Sequence, residues 1–264
     1  MTYFARPARE AFAKAGLRGG LMTYIAGRVA ALGPVGAALG SAVLFSFHPS
    51  LVERILPRAW TFASASNVLA AREAGARDSL FELLGDEMPS ADALWTAAIT
   101  IESALASEPS HGRAMFAAHR ALPRSDDPLT RLWQASTVLR EHRGDGHAAV
   151  LVTAGVDACE AHVSAIAAGG LAHDWLRFRG FSDQDRAAAQ ERMCEREFMS
   201  TDGTLTAAGY EERATLERRT DEAAAAAWDE VDEGDLVMCE ETLTRIADVL
   251  ARAKVLPDPY PPVG

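Results

Sequence analysis

Lysine is almost missing from this chain: Lys14 and Lys254 are the only two in 264 residues, and arginine carries nearly all the positive charge. Replacement on that scale reflects a GC-rich genome more than a chemical demand. Basic residues total 26 against 37 acids, for a formal charge of -11. That balance argues against a broad polyanion-binding surface, though it leaves room for one local basic face. Cysteine is also scarce. Cys159, Cys194 and Cys239 are odd in number, far apart and without a CxxC pair, so neither a disulfide framework nor a thiolate zinc site is encoded. Glycine-rich phosphate loops are missing too, because residues 16–20 have neither the spacing nor a preceding strand.

What is present is apolar, rich in alanine and poor in β-branched runs, which favours helix throughout. The length suffices for one large core or two small ones. Residues 29–47 form nineteen consecutive positions without a charge, long enough to consider a membrane span. Gly33-Pro34 breaks the run early, however, and Gly, Ala and Ser dilute it. It also begins too far into the chain, behind a charged amphipathic stretch, for a signal peptide. A buried core segment of a soluble, cytoplasmic protein with no membrane partner is expected.

Punctuation divides the chain. An amphipathic helix is expected over 6–18, another over 21–32 and a third to about Ser46, with His48-Pro49 opening the next. A strong helix covers 67–84 and ends at Gly85, and Ser90 caps one that runs to about Ala106. Pro-Ser-His-Gly and Pro-Arg-Ser-Asp-Asp-Pro make 108–128 the expected linker between a half at 1–107 and a half at 129–264. In the second half, helices are expected over 129–142, 147–154 and 157–168. Ser182 and Asp185 form a capping box for the next helix. Residues 198–206 read as a tight hairpin around Asp202-Gly203, and long helices over 207–228 and 234–254 close the chain. This order is that of a winged helix-turn-helix followed by packing or dimerisation helices. Arg58-Ala-Trp60 before 67–84 parallels Arg179-Gly-Phe181 before 182–197, as if the halves were distant copies.

Leu205-Thr-Ala-Ala-Gly209-Tyr, with the acidic helix and last long helix after it, resembles the wing exit and terminal helices of MarR-like regulators. Tyr3-Phe4, Tyr24-Ile-Ala-Gly-Arg28, Leu32-Gly-Pro-Val35, Phe47-His-Pro49, Leu132-Trp133, the 140–147 run and Thr220-Asp221 carry a wider likeness. On these residues the chain resembles an actinobacterial family described only as helix-turn-helix proteins. The resemblance implies a mainly α fold with tandem winged-helix-like halves and a short β-hairpin wing; it implies no particular reaction. Two features depart from a DNA-binding MarR protein. The helix at 182–196 interleaves acids with its arginines, and the hairpin tip Ser200-Thr-Asp-Gly carries no basic residue.

The chemically densest segment is Thr137-Val-Leu-Arg140-Glu141-His142-Arg143-Gly144-Asp145-Gly146-His147. It allows three readings. In the first, Asp145 caps a helix starting near His147 and the other charges form a structural network. In the second, His147 or His142 acts as a general base, Asp145 or Glu141 orients it, and Arg140 and Arg143 hold a carboxylate or phosphate. In the third, His142, Asp145 and His147 bind a metal with help from His162 and Glu160, but their spacing is not that of a helical zinc motif, and no metal is assigned. Arg28, the only charge in a long apolar region, is either paired with Glu53 or another acid, or points into a cavity. Trp60, Trp133, Trp175 and Phe181 are core candidates that could line a site for a flat ligand.

The expected protein is a homodimer that recognises a small molecule in a cavity between its halves. His147, His142 and Asp145 are the candidates for proton transfer; Arg28, Trp60, Arg140, Arg143 and Glu160 are the candidates for ligand contact. No cofactor is identified, and DNA is a partner disfavoured by charge. A ligand-responsive MarR-like regulator and an acid–base or metal-dependent enzyme are the alternatives.

Overall fold

The computed structural model describes residues 3–172 and 174–253. The first layer is built from α1 (Arg6–Lys14), α2 (Gly20–Val29), α3 (Ala37–Val43), α4 (Pro49–Phe62) and α5 (Ala65–Leu84). Phe12, Ile25, Val29, Val52, Leu56 and Val68 meet in its core with almost no exposure. The charge-free run does not stay straight. Gly33 adopts φ 82°, a conformation glycine takes readily, and the axes of Gly20–Leu32 and Ala37–Val43 meet at 92°. Among the described residues no single helix is long and apolar enough to cross a membrane.

A second core joins the C-terminal end of α5 to α6 (Ala91–Ala104), α8 (Pro128–Thr153) and α13 (Glu233–Arg252). Leu84, Ala98, Ile101, Leu132 and Ala135 fill it, with Cys239, Ile246 and Val249 of α13. The helix expected to dimerise therefore buries its apolar face inside its own chain. Between α6 and α8, the stretch expected to be a linker folds into α7 (Ala114–Arg120), which packs on α8. The remaining elements are α9 (Ala158–Ala167), the short α10 (Trp175–Phe178), α11 (Asp183–Glu195) and α12 (Ala207–Ala225). Ser90 and Ser182 cap as expected, and Asp157 and Thr206 do the same: each accepts a backbone N–H in the first turn that follows it.

Three expectations fail. The hairpin wing is reduced to a single bridge, Met199 with Leu205, around the Asp202-Gly203 turn; no β-strand forms among the described residues. The apparent duplication dissolves locally. Arg58-Ala-Trp60 lies inside α4, whereas Arg179-Gly180-Phe181 is a break between helices with Gly180 at φ 89°. The most consequential difference is at Gly144-Asp-Gly146, read as a turn but found within the unbroken α8. Asp145 does not cap a helix at His147. Its Oδ2 accepts the Phe116 backbone N–H at 2.9 Å, so it satisfies the exposed amides at the start of α7.

The two glycines of α8 differ in purpose. A Cβ at Gly146 would lie 3.0 Å from the Arg113 Nη1, and that guanidinium donates to the carbonyls of His142 and Ala223, tying α8 to α12. A Cβ at Gly144 meets nothing closer than 3.9 Å. Gly144→Ala should therefore stabilise the protein by about 0.5–1 kcal/mol through helix propensity. Gly146→Ala should lower stability by about 1–3 kcal/mol by displacing Arg113. Urea unfolding of the two variants tests this; a loss at Gly144 would mean that α8 is broken there.

Candidate functional site

Every third or fourth residue of α8 from Ser136 to Leu151 faces one cleft of about 900 Å³. Ser136, Leu139, Arg140, Arg143, His147 and Leu151 form this wall. Opposite stand the end of α3 and its loop (Val43 to Ser46), α9 with its preceding turn, and α12 through Arg213, Leu216 and Glu217. Val43, Leu44, Phe45, Leu151 and Val156 give the cleft an apolar floor, and the charges collect above it.

Arg28 reaches this wall from α2. Its Nη2 donates to Glu141 Oε2 at 2.7 Å, and Arg140 Nη1 donates to Glu141 Oε1 at 2.6 Å. The partner of Arg28 is thus Glu141 from the motif itself, not Glu53, which is exposed. Glu141 is 1 % exposed, so burial alone would raise its carboxyl pKa. The Arg28 and Arg140 guanidiniums outweigh that effect and hold it at about 2. Arg28 Nε is buried with no partner.

The histidines separate. His142 and His147 are five residues apart on one helix, hence about 140° apart around its axis, and they face different surroundings. His142 is fully buried outside the cleft, where Nε2 donates to Glu108 at 2.8 Å; burial lowers its pKa despite that carboxylate. His147 lies in the cleft wall. Thr220 gives its hydroxyl proton to the Leu216 carbonyl, so its oxygen accepts the His147 Nδ1–H at 2.9 Å. That fixes a neutral tautomer with the lone pair on Nε2, the form a general base requires. Burial is the largest influence on His147 and lowers its pKa.

Asp145 and Glu160 also border the cleft, but both carboxylates are occupied. Burial raises the Asp145 pKa, opposed by the bond from Phe116. Glu160 closes a capping box with Asp157 and receives Arg192 and Arg196, each at 2.9 Å. His162 is held neutral: Nε2 donates to the Ser46 carbonyl at 2.9 Å and Nδ1 accepts from Trp175 Nε1 at 3.2 Å. Trp60 does not reach the cleft. It is half-buried on α4, with its indole N–H on the Val35 carbonyl. No group of three or more His, Cys, Asp or Glu able to hold a metal occurs among the described residues.

The cleft thus gathers Arg28, Arg140, Arg143, Asp145, His147 and Glu160, and leaves out His142 and Trp60. Sequence reasoning did not single out Glu108, Arg113 or Thr220 for the roles they have. Glu108 and Arg113 sit in the presumed linker without any motif. Thr220 is marked only by the Thr220-Asp221 pair that helps carry the family resemblance.

Beside the cleft, α9, α10 and α11 form a small unit around Cys159, Val163, Leu176, Phe181, Ala189 and Met193. The exposed side of α11 presents Asp183, Gln184, Ala187, Ala188, Glu191, Arg192 and Glu195. Arg192 near its end turns back onto Asp157 and Glu160, and Arg196 just beyond it onto Glu160. A family model described as a helix-turn-helix family matches residues 1–257. No curated protein and no solved structure matches the chain.

Two pH effects follow from the buried groups. His162, and His119 on α7, are each lowered to about 4, chiefly by burial. Unfolding releases them to about 6.5, so their contribution is complete above that pH and lost as pH falls toward 4. Unfolding near pH 5 should take up about two protons, read as the slope of stability against pH. The Glu141 contribution persists above 4.5 and is lost toward 2. At pH 7, Glu141→Gln should cost about 3–5 kcal/mol, because it strands Arg28 in the interior. A loss below about 0.5 kcal/mol in urea unfolding would show that the pair does not anchor the fold.

Proposed function

Because the chain belongs to this helix-turn-helix family, we propose that it is a ligand-binding helix-turn-helix protein in which DNA binding is reduced or lost. A small molecule with an apolar body and polar substituents occupies the cleft along α8. The observation that carries this reading is the cleft itself: about 900 Å³ with an apolar floor and convergent polar groups, a volume that suits a small-molecule site. Arg28 and Arg140 orient an acceptor on the ligand from either side of Glu141. Arg143 lies farther along the same wall, paired with Asp221 at 2.9 Å. His147 offers Nε2 to a ligand donor, and it is the residue that would move a proton if binding led to turnover. Asp145 and Glu160 hold the walls rather than the ligand.

The charge on α11 supports the reduced-DNA part of the proposal. A helix that enters a major groove meets phosphates and base edges with Arg, Lys, Asn, Gln, Ser or Thr, whereas on the exposed side of α11 Asp183, Glu191 and Glu195 stand beside Gln184, and Arg192 is already paired with Asp157 and Glu160. The second reading is a MarR-like regulator whose ligand changes its affinity for DNA; the family match over residues 1–257 supports its helix-turn-helix character alone. In either reading a homodimer would form at the exposed Leu236, Val237 and Met238 of α13.

Native mass spectrometry of the protein purified from its source should find a co-purifying small molecule. Arg140→Ala and His147→Ala should each weaken its binding about tenfold or more while the fold is retained. Ligand binding unaffected by both variants would remove the cleft from consideration. Fluorescence anisotropy with duplex DNA should show no binding that falls steeply between 50 and 200 mM salt, two conventional test concentrations. Tight, strongly salt-dependent binding would replace the first reading with the regulator.

A further inference from the structure

A second cavity, of about 350 Å³, lies against the opposite side of α8 and shares no residue with the cleft. Leu69, Leu122, Trp133 and Val138 line it, and Arg72 of α5 is set in its wall. Arg72 is 3 % exposed. Its guanidinium lies 5.0 Å from the Trp133 ring centroid and 5.6 Å from that of Tyr3. Its hydrogen-bonding partner is His119: Arg72 Nη1 donates to His119 Nε2 at 2.8 Å, while His119 Nδ1 donates to the Met115 carbonyl at 2.9 Å. That arrangement defines a neutral imidazole. Arg72 Nε is buried without a partner.

Among the described residues no carboxylate stands within ion-pair distance of Arg72. Glu73 lines the same cavity, but its carboxylate accepts from Gln134 Nε2 at 2.8 Å. Arg28 and Arg140 also stand near Tyr3, whose hydroxyl pKa is raised by burial in spite of these arginines and Arg72. Glu141 is the buried acid within this group, and it is already shared by Arg28 and Arg140. Burying a cation without a counter-charge is costly, and structures ordinarily pair it.

We propose that this cavity is a binding site for a small monocarboxylate with an aromatic or aliphatic body, its carboxylate paired with Arg72. The apolar lining takes the body of the ligand. The planar guanidinium, near both rings, has its Nε sealed in the interior and would meet the carboxylate through the Nη N–H groups that His119 does not use. Glu73 in the same wall selects against a dianion such as a phosphate monoester. This site is independent of the cleft and of the proposal made for it.

The test uses the full chain with benzoate and its neutral counterpart benzamide, followed by calorimetry and by NMR shifts at the Trp133 indole. Benzoate should bind about tenfold or more tightly than benzamide. Arg72→Met should remove that preference, and Arg140→Ala, which removes a cleft arginine and leaves Arg72 and its lining in place, should keep it. Leu69→Trp, which fills the cavity without touching the charge, should exclude both compounds and guards against a misfolded Arg72 variant. Equal binding of benzoate and benzamide would overturn the proposal, as would no binding of benzoate or hexanoate. Loss of benzoate binding in Arg140→Ala but not in Arg72→Met would assign the carboxylate to the cleft and also overturn it.

Discussion

The carboxylate of Glu141, buried between Arg28 and Arg140, sets the geometry on which the rest of the molecule depends. Arg28 comes from a helix otherwise made of apolar and small residues, and a charge placed there is tolerable only where an acid meets it. Glu141 is that acid, so the pair ties α2 to α8 across two layers that otherwise meet on α8 through α5. A buried ion pair gives modest net stability compared with an apolar isostere, but it penalises every other register. Arg113 and Asp145 repeat the device on a smaller scale. Each meets backbone groups of a neighbouring element, and together they fasten α7 and α12 to the same helix.

Much of the helix layout is legible in the chain because the signals are local. Ser90, Asp157, Ser182 and Thr206 lie within four residues of the amides they cap, and Gly33-Pro34 bends the chain where it stands. Glycine at 144 and 146 is also a local signal, but here it is outweighed by contacts distant in sequence. Arg113 fills the space a side chain at Gly146 would take, and Asp145 serves the helix that begins at Ala114. The same distinction governs the site. That Arg28 called for an acid or a cavity follows from burial cost; that the acid is Glu141, 113 positions away, depends on how α2 packs. Trp60 failed as a ligand candidate because an indole N–H is satisfied as well by a carbonyl as by a ligand, and Val35 provides one.

The unit containing α11 shows how a helix can pack through one side while its charges are committed to neighbouring elements. Ala189 and Met193 preserve the inner side of α11. Arg192 and Arg196 are directed onto Asp157 and Glu160, where they tie α11 to the start of α9. Fold and surface are separable here, so the arrangement of helices says less about partners than the direction in which Arg192 and Arg196 point.

Thr137 and Val138 look into one void and Ser136, Leu139 and Arg140 into the other, so α8 is a partition between them. A helix is stiff on the scale of a few turns, and its backbone has no slack with which to serve the two sides separately. The two volumes therefore share one wall, and the outline of each is set by the opposite sides of the same few turns.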